Sequence, residues 1–204
     1  MDFPDKNDTA VEVLHIKNLV CDWCIKVVGD EITSLGFKIQ FIELGKVGLK
    51  SSVNNDEVVL IAKALEENGF KLLNDKKSRI VSKIKIEVIK YIHMGETIPE
   101  KVNFSTYLSE KIGMDYSYLS TLFSSAVGLT IEKFIILHKI ERVKELLIYD
   151  ELSLKEISYQ LEYSSVQYLS NQFKQTTGLT PTEYKKLEKS ERQTLDNLLK
   201  PKIL

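Results

Sequence analysis

The chain has 204 residues, of which 43% are hydrophobic and 28% are charged, as is typical of a globular protein with one or two domains. With only two cysteines, three positions apart, it is neither a secreted disulfide scaffold nor, by its composition, a collagen or a disordered tail. The net charge of −1 hides an asymmetry, because residues 1–74 carry 8 Lys and Arg against 12 Asp and Glu, and residues 75–204 carry 20 against 17. Two modules are indicated, and the second is the candidate for a polyanionic partner.

Nothing in the sequence resembles a targeting or membrane segment. Residues 1–10 are acidic and lack the apolar core of a signal peptide. The longest uncharged run, residues 116–131, is too short and too polar to span a bilayer. We therefore expect a cytoplasmic protein without a membrane partner.

The first module is predicted to follow the order β-α-β-β-α-β. Strands are expected over residues 10–17, 37–43, 47–52 and 70–73. One helix is expected over residues 21–35, and a second begins at a cap on Asp56 and ends at Asn68-Gly69. This order predicts a ferredoxin-like domain over residues 10–75. Its helices cover one face of the sheet, and the other face is bare unless a neighbour covers it, for instance in a homodimer.

Two cysteines in the sequence Cys21-Asp22-Trp23-Cys24 lie where the first strand meets the first helix. The helix N-terminus favours thiolates, and two thiolates suit Cu(I) first and Zn(II) second, the latter only with further ligands. Two alternatives stay open, a redox pair and two small buried apolar residues.

The segment from Ile16 to Cys24 resembles the metal-binding loop of heavy-metal-associated domains, which occur in copper chaperones and metal-pumping ATPases. The resemblance implies that Cys21 and Cys24 bind the metal ion, and that Phe70, after Asn68-Gly69, lies near it. Asn18-Leu19 replaces the usual Gly-Met of that family, and Val20 replaces its Thr.

An internal repeat marks the second module. The segments Tyr118–Phe123 and Gly128–Thr130 recur 50 residues later as Tyr168–Phe173 and Gly178–Thr180. Each copy is predicted to be a helix-turn-helix unit, and the N-caps expected for its helices are Asn103, Asp115, Ser153, and Ser164 or Ser165. Residues 131–149 form one connecting helix of roughly 27 Å, close to the roughly 34 Å between major-groove segments on one face of B-DNA.

The second module also resembles the AraC-type transcription regulators over about residues 80–188. The matching positions are Lys139-Ile140 to Val143, Leu146-Leu147, Ile157, Tyr163, Leu169, Phe173-Lys174, Gly178, Thr180-Pro181 and Tyr184. The resemblance implies seven helices with two helix-turn-helix units in adjacent major grooves of double-stranded DNA. The implied base-facing residues are Ser117, Ser120 and Thr121 in the first recognition helix and Val166, Gln167, Ser170 and Asn171 in the second.

Cations beside these helices are expected to meet phosphates or to be solvated: Lys174, Lys139, Arg142 and Lys144. The first recognition helix itself has no Lys or Arg, and Glu162 stands where the family's second turn usually has Gly. His93 and His138 look isolated, and His15 is expected on the open face of the sheet. No catalytic motif is found, so an enzyme is not expected.

The complete prediction is an α+β chain, with a ferredoxin-like domain at residues 10–75, an all-α double helix-turn-helix domain at residues 76–188, and tails at residues 1–9 and 189–204. We expect a DNA-binding transcription regulator that responds to a metal such as Cu(I). The alternatives are a thiol redox-responsive regulator and a metallochaperone-like carrier with a degenerate DNA-binding module.

Overall fold

The computed structural model describes residues 11–99 and 102–187. The predicted tails, residues 1–9 and 189–204, lie outside this part of the chain. By their contacts the residues group into two compact units. The first comprises the chain up to Ile89 together with Thr97–Gly128, and the second comprises Lys90–Glu96 together with the chain from Leu129 onwards. Each of these units is made of segments that are not continuous in sequence. The domain bounds 10–75 and 76–188 therefore stay a prediction.

The chain begins with a small antiparallel sheet and two helices, in the predicted order β-α-β-β-α-β. The elements are β1 (Glu12–Lys17), α1 (Asp22–Ser34), β2 (Ile39–Glu43), β3 (Lys46–Leu49), α2 (Asn55–Glu67) and β4 (Lys71–Leu72). The strands lie in the order β2-β3-β1-β4, and each neighbouring pair is antiparallel. All four strands are two residues shorter than predicted, and β3 also begins one residue earlier than predicted.

The apolar core of this part lies between the sheet and its two helices. On β1, Leu14 and Ile16 are buried while the residues between them are not, so alternate side chains face the core. The helices complete this core with Val28, Ile32, Ile61 and Leu65. The N-cap of α2 is Asn54, so the prediction of Asp56 is wrong. Asn54 exchanges hydrogen bonds with Glu57 in a capping box, an arrangement that Asp56 cannot form with the residue three positions later.

The next helix, α3 (Lys76–His93), lies against the sheet face opposite α1 and α2, which was predicted to be uncovered. A methyl group built on Gly45, in the turn between β2 and β3, would lie only 2.4 Å from Cδ1 of Ile86. On the same helix, the charges of Arg79 and Lys83 act on His15 of β1. The helix begins at Lys76, where the Asp75 carboxylate accepts the Ser78 N–H.

The rest of the described chain is helical. It comprises α4 (Phe104–Ile112), α5 (Tyr116–Val127), α6 (Ile131–Tyr149), α7 (Leu154–Gln160) and α8 (Val166–Thr177), and residues 181–187 are helical as well. The predicted N-caps Asn103, Asp115 and Ser153 are confirmed, and Ser165 rather than Ser164 caps α8. The helix α6 has the predicted bounds.

Among the described residues, no single helix is long and apolar enough to cross a membrane. The helices α5 and α6 meet the criterion of length and composition only when they are taken together.

Candidate nucleic-acid interface

The helix α5 of the first unit has one buried and one exposed face. Leu119 and Phe123 are completely buried, which fixes the helix on the core. The predicted base-facing residues lie off this stripe, with Ser117 and Thr121 exposed and Ser120 partly exposed. The hydroxyl of Thr121 donates to the Ser117 carbonyl at 2.9 Å, so it is partly used within the helix. The exposed face is therefore polar, uncharged and rich in short hydroxyl side chains.

The helix α8 of the second unit repeats this design with longer side chains. Leu169 and Phe173 are buried, at the positions equivalent to Leu119 and Phe123. Among the predicted DNA-facing residues, those that are exposed are Gln167, Asn171 and Lys174, and those that are partly exposed are Val166 and Ser170.

Two of these exposed side chains form a pair. The Nε2 of Gln167 donates to Oδ1 of Asn171 at 3.0 Å, as expected for amides four residues apart on one helix face. This contact leaves the carbonyl oxygen of Gln167 as an acceptor and the amide nitrogen of Asn171 as a donor. Such a combination matches the donor and acceptor that adenine presents in the major groove.

The turn before α8 has a left-handed residue in place of glycine. Glu162 has φ +53°, which lies in the left-handed region. Its carboxylate accepts a hydrogen bond of 2.5 Å from the hydroxyl of Tyr91, near the end of α3. Burial and this hydrogen bond hold the pKa of Tyr91 above its ordinary value. The strained backbone at Glu162 is thus compensated by a contact that glycine could not make.

Lys139 supports the same turn from α6. Its Nζ donates to the Leu161 carbonyl at 2.6 Å and lies 5.6 Å and 5.4 Å from the ring centres of Tyr91 and Tyr163. Burial lowers the pKa of Lys139, and the charge of Glu162 opposes that shift. The expectation that Lys139 meets phosphates or is solvated is therefore wrong, because aromatic rings and a backbone carbonyl enclose its ammonium group.

Tyr163 links this turn to the recognition helix. Its hydroxyl donates to Oε1 of Gln172 on α8 at 2.9 Å, and burial raises its pKa to about 12. The sequence reasoning missed the four residues Tyr91, Lys139, Tyr163 and Gln172 as a group. They lie on three helices and one turn, and no local spacing relates them.

The other expected phosphate contacts on α6 are engaged in ion pairs. Arg142 lies 2.7 Å from Glu145, and Lys144 lies 2.7 Å from Glu141. These pairs are partly exposed, so their positive charge is locally balanced rather than presented alone.

Two of the histidines are in contact, so the expectation that they are isolated is wrong. Nε2 of His93 lies 3.2 Å from Nδ1 of His138, and the ring of Phe134 packs edge-on against His138. Burial is the main cause that lowers the pKa of His93.

The cysteine loop lies at the start of α1 in the first unit. Cys21 is the N-cap of α1, and its Sγ lies 2.6 Å from Sγ of Cys24. The hydrogen bond to Cys24 is the main cause that raises the pKa of Cys21. Burial opposes ionisation of Cys24, but the Cys21 thiol and backbone hydrogen bonds outweigh it, so the pKa of Cys24 is lowered. Cys24 is therefore the better candidate for a thiolate.

The residues around the cysteine loop include Leu19, Asn18 and Phe70. Leu19 is completely buried beneath it, and Nδ2 of Asn18 donates to the Gly69 carbonyl at 2.9 Å. The loop is thereby tied to the segment that carries Phe70. Phe70 is buried in the same apolar cluster against which Cys24 packs. Among the described residues, no group of three or more His, Cys, Asp or Glu side chains could hold a metal ion.

Comparisons with known proteins concern mainly the helical part. Residues 108–187 match the model of a helix-turn-helix domain family. The chain is 38% identical over 76 residues to the xylose operon regulatory protein of Escherichia coli, which covers 37% of this chain and 19% of that protein. It is 26% identical over 131 residues to the uncharacterized HTH-type transcriptional regulator YdeC of Bacillus subtilis. That alignment covers 64% of this chain and 44% of YdeC.

Among solved structures, the C-terminal domain of AraT, a response regulator from Geobacillus stearothermophilus, is 22% identical, with a TM-score of 0.47. That match covers 55% of this chain and 88% of the other. The chain thus spans between a fifth and a half of the length of the curated relatives it matches. One of these relatives is the regulatory protein of an operon, and the other is a transcriptional regulator of the helix-turn-helix type. Residues 108–187 thus match a helix-turn-helix domain, and the similarities to curated regulators support a transcription regulator.

Proposed function

We propose that this protein is a sequence-specific regulator of transcription that reads double-stranded DNA with α5 and α8. The observation that carries the proposal is the pair of exposed polar helix faces, at equivalent positions of a 50-residue repeat, inside a helix-turn-helix domain. Each helix is fixed on its core by one leucine and one phenylalanine, so its opposite face is presented to a partner.

The two helices have different tasks in this proposal. On α8, Gln167 and Asn171 read an adenine edge, Val166 and Ser170 contact neighbouring base edges, and Lys174 binds a phosphate. On α5, the hydroxyls of Ser117, Ser120 and Thr121 make weaker base contacts. We expect α8 to contribute most of the discrimination between sequences.

The test begins with selection of binding sites by the full chain from a random pool of duplexes. We expect protection of two segments about one helical turn apart. Asn171→Ala should weaken binding to the selected site by about 1–3 kcal/mol and relax one base position. Lys174→Ala should weaken binding to all duplexes alike and flatten the salt dependence.

Gln175→Ala is the matched control, since it removes an exposed amide from the same helix one turn beyond Asn171, at a position that is not proposed to contact a base. Unchanged base preference in Asn171→Ala would remove Asn171 from the reading face. Absence of any preferred duplex for the wild type would refute the function itself.

A second part of the proposal concerns the first module, which we infer to be a ferredoxin-like sensing or assembly domain. The strand order β2-β3-β1-β4 with two helices on one face supports this assignment. The two thiols fit a soft two-coordinate ion such as Cu(I), whereas a tetrahedral Zn(II) site needs ligands from outside the described residues. The sulfurs must move apart to accept an ion, and Cys21 and Cys24 would hold it.

Competition with a Cu(I) chelator tests this part, with the double variant Cys21→Ser and Cys24→Ser as the control. Cu(I) should bind the wild type and not the variant, and DNA affinity should shift with metal in the wild type alone, by about 1–3 kcal/mol. If mild oxidation forms a disulfide and changes DNA affinity while Cu(I) does not bind, the redox alternative replaces metal sensing.

A homodimer through the first module remains part of the proposal. Because α3 lies on the second face of the sheet, the contact surface would instead be the outer side of α2. Val59 and Leu60 are exposed there, at 67% and 48%. Sedimentation of Val59→Lys against the wild type would test it.

A further inference from the structure

Several basic residues of the first unit meet on the sheet face opposite the apolar core. Since Leu14 and Ile16 of β1 are buried in that core, His15 between them lies on the other face. Lys46 of β3 is the register partner of His15, so it lies on this face as well.

The helix α3 brings two more cations to the same place. Arg79 and Lys83 are four residues apart and share one side of the helix. The pKa of His15 is lowered first by burial and then by the positive charges of Arg79, Lys83 and Lys46. All three cations therefore lie within electrostatic reach of one imidazole. We refer to His15, Lys46, Arg79 and Lys83 as the cationic sheet face.

The fold balances only part of this charge. Lys46 lies 3.1 Å from the Glu43 carboxylate. Arg79 donates through Nη2 to the neutral carbonyl of Asn74 at 3.0 Å, and its buried Nε has no acceptor among the described residues. Lys83 is exposed, and within residues 11–99 and 102–187 neither Arg79 nor Lys83 has a carboxylate in ion-pair distance. Three cations, from β3 and α3, thus face one carboxylate.

The proposed reading helices are poor in positive charge by comparison. Helix α5 has no Lys or Arg, and α8 has only Lys174. On α6, Lys139 is enclosed by tyrosine rings, and Arg142 and Lys144 are paired with glutamates. Specific DNA-binding proteins obtain much of their affinity by neutralising several phosphates. Exposed cations such as Lys133 of α6 and Lys155 of α7 lie outside the two reading helices, and a further phosphate-binding surface would add to their contribution.

We infer that the cationic sheet face binds the phosphate backbone of DNA that flanks the bases read by α5 and α8. This inference rests on the proposed function. This surface thereby adds sequence-independent affinity to that of the two reading helices, and the length of duplex needed for full affinity exceeds the length of the specific site. Lys83 and Arg79 are the principal phosphate contacts. Because a nearby phosphate favours the imidazolium form, a phosphate bound there should raise the pKa of His15.

The experiment measures binding of the full chain to two duplexes that share one selected site, with and without flanking sequence, over a range of salt concentrations. In the variant Arg79→Gln with Lys83→Gln, the slope of log affinity against log salt should fall by roughly 2 on the long duplex, about 0.9 for each lost phosphate contact. The advantage of the long duplex over the short one should disappear. Lys83→Glu alone, at an exposed position, keeps the test valid if the double variant does not fold.

The matched control is Lys26→Gln with Lys63→Gln, which makes the same change of charge on exposed positions of α1 and α2. It should keep the wild-type slope. In parallel, NMR titration of His15 should show that its pKa rises when the long duplex is bound.

Three results would overturn the inference while leaving the proposed function intact: equal slopes for the two double variants, equal affinity of the wild type for both duplexes, or a pKa of His15 that DNA does not change. If the wild type binds no duplex with sequence preference, the proposed function fails and the inference falls with it.

Discussion

Replacing Glu162 with glycine tests whether the turn before α8 is held by a side chain rather than by backbone freedom. Glycine would relieve a left-handed residue, which favours the folded state by roughly 1 kcal/mol. It also adds freedom to the unfolded chain, which costs about 0.4–1 kcal/mol, so these two effects nearly cancel. What remains is the hydrogen bond from Tyr91 to the carboxylate, 2.5 Å long and partly exposed. We assign it about 1–2 kcal/mol, below the upper range for bonds to charged groups.

Glu162→Gly should therefore lower the free energy of unfolding by about 1–2 kcal/mol. The same substitution in a Tyr91→Phe background should change it by roughly 0, because the hydroxyl that the carboxylate accepts from is already gone. Urea unfolding of the wild type, both single variants and the double variant gives the coupling energy directly. Equal effects of Glu162→Gly in both backgrounds, or stabilisation of the wild type by glycine, would refute this account of the turn.

Two further predictions concern other parts of the fold. Gly45→Ala should lower the free energy of unfolding by about 1–2 kcal/mol more than Gly36→Ala. Both positions have positive φ, but only at Gly45 must a buried side chain, that of Ile86, move. Equal melting temperatures of the two variants would mean that α3 does not pack on this turn. Because the pKa of His93 is lowered in the folded state, the unfolded chain binds more protons below pH 6.5, so stability should fall as the pH drops from about 7 towards 5. Urea midpoints at the two pH values should converge in His93→Gln, and an unaltered slope would show that His93 is solvated.

The local signals in the sequence predicted the helical part well. The bounds of α6 agree with the prediction because Thr130 caps its start and a left-handed residue, Asp150, ends it. The caps of α4, α5 and α7 were found from single side chains followed by an apolar stripe. At α2 two capping residues stood two positions apart, and the choice depended on Glu57, whose side chain completes the capping box only with Asn54.

Contacts between distant segments could not be predicted in this way. Lys139 looks like any surface lysine of an amphipathic helix, and it is enclosed only because Tyr91 and Tyr163 arrive from other elements. Likewise, nothing near Gly45 indicates that Ile86 will lie against it. The pairing of His93 with His138 joins two positions that each look isolated in the sequence. Local sequence patterns predict elements and their caps, whereas burial of a polar group depends on the packing of the whole unit.

The face that we propose α5 presents to DNA is uncharged, and this has a consequence for how a regulator competes for its site among all other DNA. Background binding to a genome is almost entirely electrostatic, so each cation on a reading helix strengthens binding to wrong sites as much as to the right one. The hydroxyls of Ser117, Ser120 and Thr121 add nothing to that background, and any base contact they make counts fully towards discrimination. Mutations that alter these three side chains can therefore change which site is preferred while the time spent on random sequence stays the same.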